Sequence, residues 1–368
     1  MNGQLDGGVV LIMAGGTGGH VFPALAVARE LRLRNEQVLW LGTERGLEAR
    51  VVPADGIALE KVRVQGLRGK GFLTWLTAPL RIFIAIADAV RIVRRCRPKV
   101  VLGMGGYTAG PGGIAAWLLR RPLVIHEQNA VAGLTNRLLA GFAREVLAAF
   151  PGAFSASRKT RVTGNPVRAD IAALPPPAIR FAGRSGRLRL LVLGGSQGAL
   201  ALNERVAAAV ALLPAALRPE IRHQAGEGTR AVAEAAYRAA GVEAEVHSFI
   251  KDMAEAYGWA DVVLCRAGAL TVAELAAAGV GAIFVPFPAA VDDHQTRNAA
   301  YLVDAGAATL VPQAELTAER LAAELVPYAE RRETAVQRAE RARALARPQA
   351  TDEIVDICLA AARSPRHA

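Results

Sequence analysis

Two stretches of this chain share one grammar: a short run of β-branched and leucine residues, a turn built mainly of glycine, then the start of an apolar helix. In the first, residues 9–14 run into Gly15-Gly16-Thr17-Gly18-Gly19-His20, with a helix expected from about Pro23. In the second, residues 188–193 run into Gly194-Gly195-Ser196-Gln197-Gly198-Ala199, with a helix expected over 200–213. Such a turn aims several backbone N–H groups at one point, the helix start adds partial positive charge, and missing side chains let an anion approach closely. Two of these turns about half a chain apart predict two similar α/β halves with a ligand between them, and 368 residues suffice for two cores.

The intervening pattern agrees. Apolar runs at 9–14, 37–41, 100–103, 122–127, 145–149 and 160–162 alternate with helical patterns at 23–34, 79–96, 112–120 and 133–142. Asn165-Pro166 breaks the series and Leu174-Pro175-Pro176-Pro177 continues as a stiff connector. Strands at 188–193, 220–224, 244–249, 262–265, 282–286 and 308–311, with helices between them, repeat the scheme. Strands spaced by helices give parallel βαβ units, so the expected fold class is α/β with two Rossmann-like domains, over 1–164 and 165–345. Pro348 interrupts the helical tail, and a last helix at about 351–362 is expected to pack back on the first domain.

Charge separates the halves. Up to Gly164 there are 22 Lys and Arg against 10 Asp and Glu, a net of +12, whereas the remainder has 22 against 23. The first half therefore suits an anionic surface. Within 67–98, Arg68, Lys70, Arg81, Arg91, Arg94, Arg95 and Arg97 face one acid, Asp88, with Phe72, Trp75, Leu76, Leu80 and Phe83 among them. The spacing 72, 76, 80, 83 is helical, so an ordinary core face is one reading. Bulky apolar residues on both sides of Ala78-Pro79, in a chain with 5% aromatics, favour a patch resting on anionic lipid. Nucleic acid fits less well, because base stacking favours aromatics and these positions are mostly aliphatic. No segment is expected to span a membrane, and three scattered cysteines suggest neither a disulfide framework nor a zinc site.

His20 is the only titratable residue in the first glycine turn; it reads as a helix-start histidine or as a base near a reacting hydroxyl. A dinucleotide reading of that turn wants an acid at the end of the second strand, and here the acid arrives late, at Glu44. His126-Glu127-Gln128-Asn129 follow a strand and look like hydrogen-bonding groups for a polyhydroxyl ligand, although Asn129 also suits a helix cap. Glu274 is placed in the first turn of a helix after Gly268, where it can accept both hydroxyls of a ribose. Asp292-Asp293-His294-Gln295 reads as a solvated turn rather than a metal–nucleotide site, and no metal or cofactor is expected.

Seven motifs in order resemble the MurG family of peripheral membrane glycosyltransferases: GGTGGHVFPALAVA at 15–28, GLRGKG at 66–71, GMGGYTAGPGG at 103–113, HEQN at 126–129, GNPVR at 164–168, GGSQGA at 194–199 and RAGALTVAE at 266–274. The resemblance implies a GT-B fold, two Rossmann-like domains facing across a cleft, with the sugar nucleotide held mainly by the second and the lipid acceptor by the first. It implies that Ser196 and Arg168 meet the diphosphate, that the backbone at Ile250 reads uracil, and that Glu274 binds the ribose. Asn129, Gln295 and the turn Ala269-Leu270-Thr271-Val272-Ala273 would hold the sugar and its phosphate side, while Thr17, Gly18, Gly19, Gly105, Gly106 and Tyr107 would line the acceptor side. Ala109 stands where serine is common, which bears on the loop at 103–113, and His294 where some members carry glutamine, which leaves Gln295 as the sugar contact.

The implied reaction is inverting transfer of N-acetylglucosamine from UDP-N-acetylglucosamine to the 4-hydroxyl of lipid I, at the cytoplasmic face of the bacterial inner membrane and without a nucleic-acid partner. It needs a base for the hydroxyl and positive groups for the diphosphate. His20 is the candidate base, with Glu127 in reserve. The competing enzyme is a UDP-N-acetylglucosamine 2-epimerase, which shares this architecture but has no need of the basic, apolar stretch at 67–97. The competing non-enzyme is a membrane-surface or nucleic-acid-binding protein.

Overall fold

The apolar runs pair in parallel throughout, in two separate sheets. A computed structural model describes residues 8–64, 78–195, 197–290 and 293–363, and divides the chain into two units: residues up to Pro166 with those from Gln349 onward, and Val167–Pro348. The first unit holds β1 (Val10–Met13), β2 (Val38–Gly42), β3 (Ala58–Lys61), β4 (Val100–Gly103), β5 (Leu123–Glu127), β6 (Glu145–Ala148) and β7 (Thr160–Val162) in the order β3-β2-β1-β4-β5-β6-β7. Side chains alternate along β1. Val10 and Ile12 face a core shared with the helices Gly18–Leu33 and Ala350–Arg363, whereas Leu11 and Met13 face one shared with Ala78–Cys96, Ala109–Leu118 and Leu134–Ala140. Burial on both faces is why these strands read as unbroken apolar runs.

The helix Ala350–Arg363 closes the first of these cores with Ile354, Val355 and Cys358, and Arg34 binds Asp352 at 2.8 Å and also Asp356. Two elements were not expected from the sequence. β3 is a charged, half-exposed edge strand, and the helix Glu48–Ala54 before it is short. The helix Gly18–Leu33 begins inside the glycine turn, ahead of the expected start at Pro23; Pro23 lacks an N–H and leaves the Gly19 carbonyl without a helical donor.

The second unit holds β8 (Arg189–Leu193), β9 (Glu220–Gln224), β10 (Glu245–His247), β11 (Val262–Cys265), β12 (Gly281–Phe284) and β13 (Ala308–Leu310), ordered β10-β9-β8-β11-β12-β13. In each sheet the chain steps outward from its first strand, then returns to that strand's other side, at β4 in one and β11 in the other. The carboxyl edge at such a reversal is where open α/β sheets bind ligands.

Two histidines lie in these sheets. His126 on β5 and His223 on β9 are fully buried, and burial pushes each imidazole down to about 4. The unfolded chain takes up their protons below about 6.5. The native state does not do so until about 4, so stability is fully present above this window and falls as pH drops through it. Each unit is expected to be about 2 kcal/mol less stable at pH 5 than at pH 7.5 on this account, at 1.36 kcal/mol per decade of proton concentration. Hydrogen exchange read separately on the two units measures it; equal protection at both pH values, after correction for intrinsic rates, contradicts two neutral buried imidazoles.

Candidate active site

At the edge of β1, the glycine turn is tied down by a side chain from the unexpected helix. Glu48, fully buried, accepts the Gly16 N–H at 3.1 Å on one oxygen and the Thr43 N–H and hydroxyl at 3.0 and 2.7 Å on the other. A dinucleotide fold offers an acid at this strand end to a ribose; here both oxygens are spent on the protein's own loops. Glu44, the acid seen in the sequence, is exposed and lies 3.8 Å from Lys61. The loop after β4 packs main chain against the same turn. Gly106 has φ +79°, and a Cβ there would fall 2.1 Å from the Gly15 carbonyl oxygen. Tyr107 lies over Gly16, whose Cβ would meet the ring at 3.2 Å, while Thr17 and Gly19 are exposed. The structure thus brings 15–20 and 105–107 together.

The cluster after β5 differs from its sequence reading as a set of ligand-binding groups. His126, Glu127 and Gln128 are buried, and only Asn129 is partly exposed. Glu127 accepts the Asn129 N–H and side-chain amide at 3.0 and 3.1 Å, and the Gly133 N–H and Asn136 amide at 3.0 and 2.9 Å. A buried carboxylate with four donors organises the turn and is not a base in reserve. His20, half-buried, contacts Gln128 Oε1 through its Nδ1 at 2.9 Å.

In the second unit the β8 turn is held by neutral groups. Gly194 donates its N–H to the Gln224 carbonyl at 2.9 Å, and the buried Asn203 amide donates to the Ala225 and Thr229 carbonyls at 3.0 and 3.2 Å. Ser196 lies outside the described residues. The Ile250 N–H donates to Gln224 Oε1 at 2.9 Å.

Beside it, at the edge of β11, starts the helix Ala269–Ala278. Glu274 is in its second turn, not its first, so the helix dipole has largely decayed there. What holds the carboxylate instead is Arg168 Nη2 at 3.2 Å on one oxygen and the Tyr257 hydroxyl at 3.1 Å on the other. Burial raises its pKa above the usual carboxylate value, opposed by Arg168 and Tyr257. Val272 faces the core, fully buried, with its N–H donated to the Gly268 carbonyl at 3.0 Å, whereas Leu270, Thr271 and Ala273 are partly exposed. Gln295 accepts the Phe287 N–H at 2.9 Å.

On the outer side of the first unit, Leu80 and Phe83 are 63% and 67% exposed, and Arg81 beside them is exposed too. Asp88, the acid of that stretch, is buried against Arg63 at 2.8 Å and adds little negative charge to the surface. Arg68, Lys70, Phe72, Trp75 and Leu76 lie outside the described residues. Exposed Trp117, Leu118, Leu134, Leu138 and Phe142 stand on the helices and loop that pack on the same face of the sheet, with the Trp117 and Phe142 rings 5.0 Å apart. The sequence held the signal for part of this face, an i, i+4, i+8 apolar stripe at 134, 138 and 142. Glu48 was detectable as a second acid after β2, and nothing in the sequence pointed to Tyr257.

The profile of the glycosyltransferase family 28 N-terminal domain matches residues 10–148, and that of its C-terminal domain matches residues 189–354. A Marinobacter nauticus protein named UDP-N-acetylglucosamine–N-acetylmuramyl-(pentapeptide) pyrophosphoryl-undecaprenol N-acetylglucosamine transferase is 58% identical over 352 residues, 96% of this chain and 97% of its own. The protein of that name from Alkalilimnicola ehrlichii is 58% identical over 354 residues, 96% and 99% of the two chains. The crystal structure of Acinetobacter baumannii MurG matches with a TM-score of 0.85 at 42% identity, over 96% of this chain and 99% of that one.

Glu48→Ala strands three buried donors, at about 1–3 kcal/mol for each unpaired group, so the first unit should lose roughly 3 kcal/mol or more. Glu44→Ala should stay within about 0.5 kcal/mol, as surface changes do. Trp40, fully buried and donating to the Ala14 carbonyl at 2.9 Å, is a suitable fluorescence reporter for urea unfolding. Equal midpoints for the two variants would remove Glu48 from its anchoring role.

Proposed function

Because the chain belongs to glycosyltransferase family 28 and, within it, to the MurG transferases, we propose a residue-level account of how it performs that family's reaction. The enzyme is an inverting transferase that moves N-acetylglucosamine from UDP-N-acetylglucosamine to the 4-hydroxyl of N-acetylmuramyl-pentapeptide pyrophosphoryl-undecaprenol, lipid I, giving lipid II in peptidoglycan synthesis. The epimerase alternative gives way to relatives that carry the transferase name at 58% identity over nearly the whole chain.

The donor falls to the second unit. The observation that carries this assignment is the Glu274 carboxylate, partly buried beside the end of β11, the strand next to β8 and its glycine turn, with Arg168 on one oxygen and Tyr257 on the other. Glu274 accepts the ribose hydroxyls. Arg168, Ser196 and the N–H groups of the 194–199 turn take the diphosphate and the charge that grows on it as the sugar leaves. The Ile250 carbonyl accepts the N3–H of uracil, a position where cytosine presents a lone pair instead. The main chain of Ala269, Leu270 and Thr271 at the helix start, with Gln295, holds the N-acetylglucosamine and its phosphate side.

The acceptor falls to the first unit. His20 takes the proton of the attacking hydroxyl, and Thr17, Gly18, Gly19, Gly105, Gly106 and Tyr107 line its approach. The acceptor's lipid remains in a bilayer, so this unit works at a membrane surface. Leu80, Phe83, Trp117, Leu118, Leu138 and Phe142, with Arg81 and Arg137 among them, supply apolar anchors and cations for an anionic leaflet. Among the described residues no helix is long and apolar enough to cross a membrane. On this account the enzyme is a peripheral one that works at the cytoplasmic face of the inner membrane, with no nucleic-acid partner.

Transfer of labelled sugar from UDP-N-acetylglucosamine to a short-chain lipid I analogue tests the account. His20→Ala should lower kcat by about 10²–10⁴, the usual contribution of a general base, and a loss under about tenfold excludes that role. Glu274→Ala should raise the donor KM and leave the acceptor KM unchanged; an unaltered donor KM removes the ribose role. In wild type the donor KM should climb as pH falls toward the raised Glu274 pKa, earlier than for an exposed carboxylate.

Phe83→Ser and Trp117→Ser should each weaken flotation with phosphatidylglycerol vesicles roughly tenfold, the equivalent of about 1.4 kcal/mol for a half-buried aromatic, with UDP affinity preserved. Undiminished flotation of the double variant would place the membrane contact elsewhere.

A further inference from the structure

His20 ends a line of hydrogen bonds whose direction can be read from its other end. His126 Nε2 lies 2.9 Å from the Gly164 carbonyl oxygen, which can only accept, so that nitrogen carries the hydrogen. His126 is fully buried and neutral, with its imidazole pushed down to about 4, so its Nδ1 carries only a lone pair. Facing that lone pair at 3.1 Å is Gln128 Nε2, which donates to it. The amide therefore turns its oxygen outward, and Gln128 Oε1 stands 2.9 Å from His20 Nδ1. A carbonyl oxygen accepts only, so His20 Nδ1 carries a hydrogen as well. Reversing the amide would set oxygen against the His126 lone pair, in a place closed to water.

We infer that Gln128 and His126 are positioning residues that fix the tautomer of His20, placing hydrogen on Nδ1 and the lone pair on Nε2, where the acceptor hydroxyl can give up its proton. The inference rests on the reading of His20 as the base and adds the device that prepares it. Two further features serve the same geometry. Asn165 donates its side-chain amide to the Gln128 carbonyl at 3.0 Å, which fixes the backbone from which that side chain springs. Gly105, at φ +90°, leaves room for the bond itself: a Cβ there would stand 2.6 Å from His20 Nδ1 and 3.2 Å from Gln128 Oε1.

As the hydroxyl proton arrives on Nε2, the ring becomes an imidazolium and its Nδ1–H donates more strongly to the same oxygen. Gln128 neither gains nor loses a proton in the step. The proton leaves later from Nε2 to solvent, which restores the starting tautomer.

The test uses the full chain with ¹⁵N-labelled histidine and long-range ¹H–¹⁵N correlation, His20 being assigned from the signals missing in His20→Ala. The expected wild-type pattern is hydrogen on Nδ1 of His20 and on Nε2 of His126. Gln128→Met, similar in size but without the amide, should show mixed His20 tautomers and a kcat lower by on the order of tenfold or more, short of removing the base itself, with the donor KM unchanged. Hydrogen on Nε2 of wild-type His20 overturns the inference, as does a Gln128→Met enzyme with unaltered kcat; the wild-type spectrum decides even if the variant does not fold. Full activity in His20→Ala would instead remove the base and leave the tautomer assignment standing, so the two failures are separable.

Discussion

A carboxylate can be buried at tolerable cost only if donors meet its lone pairs. Two such carboxylates set the edge of the first sheet. Glu48 binds the β1 turn to the end of β2, and Glu127 gathers the turn between β5 and the helix Leu134–Ala140. Neither is left to touch a substrate. Their work is to hold glycine-rich backbone, which has many conformations of its own, in one conformation. Losing one donor would leave charge uncompensated in a buried place, so the loops and the carboxylates fix each other. His20 and Asn129 stand at the margin of this scaffold, both partly exposed.

The second unit solves the same loop problem with different chemistry. Gln224 and Asn203 hold its turns through amides, each closely spaced with main-chain groups and neither charged. On the proposed reading a nucleoside diphosphate brings negative charge to the β8 turn, and a buried carboxylate beneath it would oppose binding through a weakly screening interior. Amides supply the directionality without the repulsion. The carboxylate beside the end of β11, Glu274, is offset by the Arg168 guanidinium at 3.2 Å.

The strands and glycine turns were readable because their demands are main-chain demands: burial on both faces needs β-branched and leucine runs, and close backbone approach needs glycine. Side-chain roles were harder. His126, Glu127 and Gln128 were placed correctly at a strand end and given the wrong partners, because nothing in a linear pattern separates a polar residue that faces a ligand from one that braces a loop. Glu48 escaped notice because its helix has seven residues and no sustained apolar period. Val272 joined the binding set because it sits within a motif, although helical geometry turns its side chain into the core. The exposed apolar face was legible only where basic and apolar residues lie close in sequence, around Phe83. Trp117 and Phe142 are 25 residues apart and meet only because their helices pack side by side on one sheet.

With His20 as the proposed base, a glutamine at position 128 follows from what a base has to do. A carboxylate against His20 Nδ1 would also fix the tautomer, but it would favour the imidazolium, the form already holding the proton that catalysis needs to remove. An amide oxygen orients the ring while adding no charge. The drawback is that an amide has two ends of nearly equal shape, and reversing it would undo the arrangement. His126 removes that ambiguity, because its own direction is set by the Gly164 carbonyl, a group that cannot reverse. A backbone acceptor in the segment leading out of the first unit thereby determines which nitrogen of His20 is basic, two side chains away.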